Sequence, residues 1–538
     1  MKRVWRLSAL VLLLVAGLWL APTGTRNAAA AAQAAGGLQA DFDNDGFADL
    51  AVGVRLEDVQ GRDGAGAVNV LYGSTNGLTG SGSQLFWQGA SGVAGTAEAG
   101  DEFGSSLAAG DFDNDGFADL AVGVPLEAIG SVSGAGAVNV LYGSANGLTG
   151  TGSQLFWQGA GGVKGTAETD DIFGQALSAG DFDNDGFADL AVGVRLEDVQ
   201  GRDGAGAVNV LYGSANGLTG SGSQQFWQGA GGVAGNLEAG DGFGSALSAG
   251  DFDNDGFSDL AIGAPEEAIG TVRFAGAIDV LSGSTGGLTG TGSQAFWQGA
   301  SGRVAGNPQS GDAFGSSLAA GDFNNNGLGD LAVGVPGESM GVLSRGDAGA
   351  VNVLYGSTNG LTGSGSQLFR QGAGGVGGTP EFGDGFGSAL TAGNFGNGAA
   401  TDLAVGVPLE DITGRENAGA VNVLYGSASR LTGAGGKMFW QGPGGVTGTL
   451  ESFDWFGDAL SAGDFNNNGP ADLAVGVPHE AIGAVSTAGA VNVLPGTAAG
   501  LTGVGSRGFW QGSGGAAGTL EADDQFGSAL VNSDQPTG

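Results

Sequence analysis

The sequence contains a nine-residue motif in which oxygen-bearing side chains recur at fixed positions. In residues 111–119 (Asp-Phe-Asp-Asn-Asp-Gly-Phe-Ala-Asp), carboxylates stand at positions 1, 3, 5 and 9. Glycine at position 6 permits a sharp turn, and the carbonyl oxygen at position 7 adds a further ligand. Hard oxygen ligands at this spacing match the front of an EF-hand loop and suit Ca²⁺ better than Mg²⁺ or softer metals. The motif therefore predicts a calcium loop rather than a bare turn, because clustered carboxylates without a cation repel one another.

Seven copies of this loop start at residues 41, 111, 181, 251, 322, 394 and 464 and are numbered one to seven here. The predicted ligands of loops one to four are Asp41, Asp43, Asp45, Phe47 (carbonyl) and Asp49; Asp111, Asp113, Asp115, Phe117 (carbonyl) and Asp119; Asp181, Asp183, Asp185, Phe187 (carbonyl) and Asp189; and Asp251, Asp253, Asp255, Phe257 (carbonyl) and Asp259. Loops five and seven offer Asp322, Asn324, Asn326, Leu328 (carbonyl) and Asp330, and Asp464, Asn466, Asn468, Pro470 (carbonyl) and Asp472.

Loop six keeps Asp402 at position 9, but Asn394, Gly396 and Gly398 stand at positions 1, 3 and 5. Because calcium affinity follows ligand number and charge, the sequence predicts four strong sites, two weaker ones in loops five and seven, and no ion in loop six.

Each loop belongs to a repeat of about 70 residues, which must supply the strands that hold it. The spacings between loop starts are 70, 70, 70, 71, 72 and 70 residues. Runs such as 119–125 and 137–142 have period two and are rich in valine, which is typical of β-strands. About four strands per unit, repeated seven times over residues 37–538 without helical periodicity, predict an all-β, seven-bladed β-propeller. A linear β-solenoid is the alternative, but its rungs are usually much shorter.

The chain ends predict how the ring closes. The tetrad Asp-x-Phe-Gly occurs seven times, from Asp101 to Asp524, yet no copy precedes the first loop and no loop follows the last copy. The repeat is therefore a sevenfold cycle cut within one unit. We expect the C-terminal segment 526–532 to supply the strand that the first blade lacks.

Taken together, these motifs resemble the FG-GAP repeat. Phe103-Gly104 heads a predicted strand, the acidic loop follows, and a Gly-x-Pro comes after the next strand, literally Gly263-Ala264-Pro265 in unit four. Such repeats build the seven-bladed propeller of integrin α-subunits and of related bacterial secreted proteins. The resemblance covers residues 37–538 and implies a calcium-dependent fold with an adhesive or ligand-binding role. Arg55 and Arg195 replace the proline in units one and three.

The amino-acid composition argues against several classes of function. The chain has 538 residues with 55 acids against 17 bases, and its formal net charge of −38 argues against nucleic acid or an anionic membrane as partner. The absence of cysteine excludes disulfides, thiolate catalysis and Cys-ligated metals. The single histidine, His479, argues against a Ser-His triad and is expected to be an exposed loop residue. With no non-repeated cluster of acid, base and nucleophile, the chain is predicted not to be an enzyme.

The N-terminus predicts export. Lys2, Arg3 and Arg6 precede an apolar run of fourteen residues, 7–20, and alanine-rich sequence continues to residue 35. This pattern is typical of a cleavable signal peptide, and residues 1–36 are assigned to the signal peptide and an alanine-rich linker. The run is short for a transmembrane helix, although an uncleaved anchor remains the alternative. We therefore expect a secreted, extracellular protein without a transmembrane segment in its mature form, with attachment to the cell surface left open.

Three further features of the sequence each allow two interpretations. One glutamate recurs in every unit, and its repetition favours a loop or rim role over catalysis: Glu57, Glu127, Glu197, Glu267, Glu338, Glu410 and Glu480. The Phe-Trp-Gln-Gly segments, such as 156–159, favour packing between blades over stacking on sugars. Arg345-Gly346-Asp347 matches the tripeptide that integrins bind, but it lies in a loop that varies between units, which favours a chance match.

The sequence thus predicts a secreted, calcium-binding β-propeller that acts as a protein-interaction or cell-adhesion module. Its partner is expected to be a protein or a surface polymer bound on the loop face of the ring. A carbohydrate-binding, lectin-like propeller is the alternative. A hydrolase or lyase is disfavoured, because near-identical units argue against one asymmetric active site, although a fold alone does not settle function.

Overall fold

The chain folds into seven four-stranded antiparallel sheets arranged as the blades of a β-propeller. The computed structural model describes residues 40–299, 304–339, 347–396, 398–442 and 445–531. The signal-peptide prediction, and Arg345 and Gly346 of the Arg-Gly-Asp tripeptide, lie outside these residues. Across these five ranges no helix occurs, and so none is long and apolar enough to cross a membrane. The prediction of an all-β, seven-bladed propeller is confirmed.

The strands follow one another in the same order in every unit. Blades one to four contain β1 (Leu50–Val54), β2 (Ala67–Tyr72) and β3 (Thr79–Phe86); β4 (Ser106–Gly110), β5 (Asp119–Val124), β6 (Ala137–Tyr142) and β7 (Thr149–Phe156); β8 (Leu177–Gly180), β9 (Asp189–Val194), β10 (Ala207–Tyr212) and β11 (Thr219–Phe226); and β12 (Ala246–Gly250), β13 (Asp259–Ala264), β14 (Ala277–Ser282) and β15 (Thr289–Phe296).

Blades five to seven repeat the pattern, and one further strand ends the described chain. They contain β16 (Leu318–Gly321), β17 (Asp330–Val335), β18 (Ala350–Tyr355) and β19 (Thr362–Phe369); β20 (Leu390–Gly393), β21 (Asp402–Val407), β22 (Ala420–Tyr425) and β23 (Thr432–Phe439); and β24 (Leu460–Gly463), β25 (Asp472–Val477), β26 (Ala490–Leu494) and β27 (Arg507–Phe509), followed by β28 (Ala529–Val531).

The C-terminal strand closes the ring. β28 pairs antiparallel with β1, with Leu530 opposite Val52, and becomes the innermost strand of blade one. It also contacts the innermost strands on either side, β24 of blade seven and β4 of blade two. The predicted closure by the C-terminal segment is therefore confirmed, and it gives blade one the same four strands as the other six blades.

Blades are buried on both faces because each packs against two neighbours. In β5, the large residues Leu120, Val122 and Val124 and the small residues between them are all buried. Gly123 lies so close to blade three that a Cβ atom there would come within 2.1 Å of the carbonyl oxygen of Gly174. The period-two pattern thus separates a bulky face from a small face, rather than a buried face from an exposed one.

Antiparallel pairing puts the loops on two opposite faces of the ring. The nine-residue loops connect the first strand to the second, and they share one face, called the metal-loop face, with the turns between the third and fourth strands. Connections between the second and third strands, and from the fourth strand to the next blade, lie on the other side, called the opposite face.

Candidate functional site

The acidic loops are shaped by hydrogen bonds from their own backbone to their own side chains. In loop two, Oδ1 of Asp111 accepts from the backbone N–H of Asp115 (3.1 Å) and Oδ2 accepts from Gly116 (3.0 Å). Gly116 has a φ of +94°, which glycine adopts without strain and which turns the chain back on itself. The first carboxylate therefore organises the loop even before any ligand is considered.

The ninth residue ties each loop to its blade. Asp119 is 1% exposed; its Oδ2 accepts from the N–H of Phe112 and its Oδ1 from the N–H of Gly143, both at 2.9 Å. Phe112, at position 2, is fully buried between blades two and three. The loop is thus fixed at both ends by buried groups.

The structure brings carboxylates together in loops one to four. Three acids in each loop have an oxygen atom within 4.8 Å of the others: Asp41, Asp43 and Asp45; Asp111, Asp113 and Asp115; Asp181, Asp183 and Asp189; and Asp251, Asp253 and Asp255. Three of these groups join positions 1, 3 and 5, whereas loop three joins positions 1, 3 and 9. Such oxygen clusters have the chemistry that Ca²⁺ prefers. The residues of these four loops therefore fit a calcium ion.

Burial and mutual repulsion disfavour the ionised form of carboxyl groups in these loops. Burial, followed by the charges of Asp45 and Asp41, raises the pKa of Asp43 to about 6. Burial also raises the pKa of Asp119 to about 8, and Asp113 and Asp111 add to this rise. A bound cation would oppose both effects, because its charge favours the ionised form of a nearby carboxylate.

Loops five and seven keep the backbone shape but change the side-chain chemistry. Asp322 accepts from the N–H groups of Asn326 (3.0 Å) and Gly327 (2.8 Å), as the first Asp does in loop two. The amide nitrogen Nδ2 of Asn324 donates to Oδ2 of Asp330 at 2.7 Å. In loop seven, Nδ2 of Asn466 donates to Oδ2 of Asp472 at the same distance.

The other predicted donors of these two loops occupy the turn. Oδ1 of Asn326 accepts from the N–H of Leu328 (2.9 Å), and Asn468 donates its N–H to Asp464 (2.9 Å). Pro470 is buried at position 7 of loop seven.

In loop six, Nδ2 of Asn394 donates to the carbonyl oxygen of Gly398 at 2.7 Å. Asp402 accepts from the N–H groups of Phe395 and Gly426, so its carboxylate keeps the anchoring role of position 9. Binding of ions by any of the seven loops, and its absence from loop six, remain predictions.

Neighbouring loops are also joined to one another. The N–H of Ala118 in loop two donates to the carbonyl oxygen of Asp41 in loop one (3.2 Å), and Ser144 of blade two donates to that of Phe42 (3.2 Å). The same bond, position 8 to position 1 of the preceding loop, recurs around the ring and joins Ala48 to Asp464 across the closure. Each loop therefore lies at a junction between two blades.

The recurring glutamates are buried between blades rather than on a rim. The side chain of Gln88 in blade one donates to Oε2 of Glu127 in blade two at 2.9 Å, and Glu127 is 8% exposed. Equivalent Gln-to-Glu bonds join Gln158 to Glu197, Gln298 to Glu338, Gln371 to Glu410 and Gln511 to Glu57. Burial raises the pKa of Glu127 to about 7, and Asp101 and Glu98 add to the rise. Sequence analysis missed this network, because its partners are 39 residues apart in most units.

The tryptophans and the histidine have packing roles. Trp157 and Trp227 are half-buried and pack against hydrophobic clusters that join adjacent blades, as interblade packing requires. His479 is half-buried rather than exposed, because its ring stacks on Trp455 with centroids 4.0 Å apart. Burial lowers the pKa of this imidazole.

Comparisons with known proteins agree with these features. The family model described as FG-GAP repeat matches residues 35–71, 103–141, 173–211, 243–281, 314–354 and 456–494. The unit that contains the degenerate loop six is not among these segments.

Two curated relatives match parts of the chain. Integrin alpha-5 of Xenopus laevis is 32% identical over 258 residues, which cover 45% of this chain and 21% of the integrin. Phosphatidylinositol-glycan-specific phospholipase D of Rattus norvegicus is 35% identical over 156 residues, covering 28% of this chain and 17% of the enzyme. The chain thus spans only about a fifth of the length of these relatives.

A solved structure, the exotype rhamnogalacturonan lyase YesX, superposes with a TM-score of 0.38 at 13% identity, covering 86% of this chain and 76% of that one. The six matched repeats, the integrin relatives and the seven four-stranded blades lead to one assignment. The chain is an FG-GAP repeat protein whose units form an integrin-like, seven-bladed β-propeller.

Proposed function

We propose that this chain is a secreted, calcium-stabilised, non-enzymatic propeller that binds a protein partner through exposed aromatic side chains on the opposite face. The observation that carries the proposal is a set of three phenylalanines whose side chains are exposed to solvent. Phe274 and Phe453 are each 50% exposed, and Phe382 is 61% exposed.

Two of these phenylalanines replace glycine in a strained conformation. Phe274 has a φ of +55°, where units one to three have Gly64, Gly134 and Gly204. Phe453 has a φ of +71°, where four other units have Gly100, Gly240, Gly311 and Gly383. Left-handed backbone costs a bulky residue about 1–2 kcal/mol, and half-exposed rings recover little of it by packing. Residues kept at such a cost are typical of binding surfaces.

The three rings lie on one side of the molecule. Phe274 belongs to a connection between the second and third strands, and Phe382 and Phe453 belong to connections leading to the next blade. Backbone bonds join Phe274 to Ala313 of the connection towards blade five, and Phe453 to Glu416 of blade six. The rings therefore follow three successive junctions, from blades four and five to blades six and seven. Exposed aromatic rings of this kind anchor protein interfaces.

Calcium has a structural role in this proposal. The ligands would be the carboxylates of loops one to four, and the ion would supply the positive charge that offsets their repulsion. Each loop lies at a blade junction through its bond to the preceding loop. Binding of an ion only by the folded state stabilises that state. The propeller thus presents a rigid ring from which the aromatic face projects.

The experiment compares the retention of cell-surface proteins by the full chain and by variants. We expect F274G/F382A/F453G to lose the retained partner, while its melting temperature stays within about 2 °C because glycine relieves the strain. The matched control is Val504→Ser, since Val504 is 79% exposed but lies in a turn on the metal-loop face. Equal retention by the native chain and the triple variant would refute the aromatic face as the binding surface.

A further inference from the structure

Loops five and seven place an amide where loops one to four have their third-position carboxylate. The equivalent residues of loop one, Asp43 and Asp49, are both acids. In loop five the position is held by Asn324, whose Nδ2 lies 2.7 Å from Oδ2 of Asp330. In loop seven the same bond joins Asn466 to Asp472. The ninth carboxylate of these two loops therefore receives a hydrogen-bond donor from the third position.

The rest of the loop is unchanged by this replacement. In loop one, Asp41 accepts from the N–H groups of Asp45 (3.0 Å) and Gly46 (2.8 Å). In loop five, Asp322 accepts from the corresponding groups at the same two distances. Since the backbone is alike, the two kinds of loop differ in the group at the third position, which is a carboxylate in loop one and an amide that donates to the ninth carboxylate in loop five.

We propose that the amides of Asn324 and Asn466 take the place of the calcium ion, so that loops five and seven close without metal and only loops one to four bind it. The second half of this statement rests on the proposed function. For the oxygen of Asn324 to ligate an ion, the amide would have to rotate and give up its bond to Asp330. Only two carboxylates would then attract the ion, and calcium affinity falls when the ligands carry fewer negative charges. The sequence predicts weak calcium binding by loops five and seven, whereas this proposal predicts that they bind no calcium.

This assignment determines which junctions depend on metal. Loop five accepts the N–H of Thr401 from loop six (2.9 Å), and loop seven accepts the N–H of Ala48 from loop one (3.3 Å). The second bond spans blades seven and one, beside the C-terminal strand that closes the ring. On this assignment the acceptor side of the closing bond, loop seven, is held without calcium, whereas its donor, Ala48, belongs to calcium-binding loop one.

Reciprocal substitutions in the full chain test the amide bond in the presence of chelator. Asp43→Asn gives loop one the third-position amide of loop five, and we expect the melting temperature of this variant to rise by about 1–2 °C. Asn324→Asp sets two carboxylates against each other and should lower the melting temperature by a similar amount. Glu416→Gln and Asn76→Asp are the controls, because these exposed residues change the net charge equally without entering a loop of either kind. Absence of both shifts overturns the proposal.

Equilibrium dialysis against calcium then counts the bound ions. We expect four per native chain, three for Asp43→Asn and five for Asn324→Asp, since loops one to four contain the acidic clusters. Five or six ions on the native chain overturn the assignment of loops five and seven. If no variant binds calcium, the proposed calcium function fails, while the chelator melts still decide whether the amides close their loops.

Discussion

The buried glutamates between blades make the stability of this propeller depend on pH in an unusual direction. Glu127 has its pKa raised from 4.5 to about 7, first by burial. Below pH 4.5 the group is protonated in both the folded and the unfolded chain and contributes nothing. As the pH rises, the unfolded chain ionises first, so the folded state loses relative stability until the pH passes about 8.

The size of this loss follows from the pKa difference. A change of one in pKa corresponds to about 1.36 kcal/mol of free energy. A rise in pKa from 4.5 to about 7 therefore corresponds to a loss of roughly 3.4 kcal/mol in the free energy of unfolding. We halve this to about 1.7 kcal/mol to allow for solvent screening at the loop. Part of the loss has already developed at pH 5, because the unfolded group titrates at 4.5. The change between pH 5 and pH 8.5 is then about 1 kcal/mol for this single residue.

Glu127→Gln removes the ionisable group and keeps an oxygen that accepts the bond from Gln88. The amide is neutral at every pH, so the variant avoids the burial of a charged group that raises the pKa of Glu127. We therefore expect the variant to be at least as stable as the native chain at pH 8.5. The free energy of unfolding of the variant, relative to that of the native chain, should be about 1 kcal/mol higher at pH 8.5 than at pH 5.

Guanidinium unfolding of both proteins at pH 5 and pH 8.5, at one fixed calcium concentration, measures this difference. The acidic loops are identical in the two proteins, so their titration cancels. Glu416→Gln serves as the control, because Glu416 is an exposed acid on the same face. Two results would contradict this expectation. One is a stability difference between Glu127→Gln and the native chain that does not increase with pH. The other is a Glu127→Gln variant that is less stable than the native chain at pH 8.5.

Three further predictions follow from the fold. Deletion of residues 521–538 removes β28 and should sharply lower the melting temperature; an unchanged melt would contradict closure by this strand. Addition of chelator should increase hydrogen exchange in blades one to four before blades five to seven, and uniform exchange would refute this order. Trp157→Ala should destabilise the protein by about 3 kcal/mol in chemical unfolding, because the indole packs between blades; a cost below about 1 kcal/mol would favour a free, sugar-stacking ring.

The sequence predicts the ring of blades well, because the same pattern of residues recurs in every unit. The loop spacing locates each blade, and the cut within one unit predicts that β28 completes blade one. The positions of the acidic clusters can also be predicted, because Asp at positions 1 and 3 of each of the first four loops meets a third Asp of the same loop, at position 5 or 9. Local chemistry that repeats is the easiest part of such a protein to predict.

Contacts between units are harder to predict, because they join residues without a shared local pattern. Gln88 and Glu127 belong to different blades, and their bond depends on how closely those blades approach. The orientation of the Asn324 amide within loop five is also hard to predict, since the sequence alone indicates only that asparagine is a weaker calcium ligand than aspartate. A comparison between units does carry a usable signal. Phe274 and Phe453 stand where three and four of the other units, respectively, have glycine, and this departure marks the exposed aromatic face.

The two departures from sevenfold symmetry lie in different parts of the ring. The acidic clusters belong to loops one to four, whereas Phe382 and Phe453 follow the junctions of blades five to seven. Loops five and seven, with their amide bonds, belong to the same blades, although they lie on the metal-loop face. A surface held in place without metal keeps its shape when calcium is removed from the other blades. Calcium would then govern the stability of blades one to four, including the blade that carries Phe274, while Phe382 and Phe453 would keep their positions at any calcium concentration that leaves the ring closed.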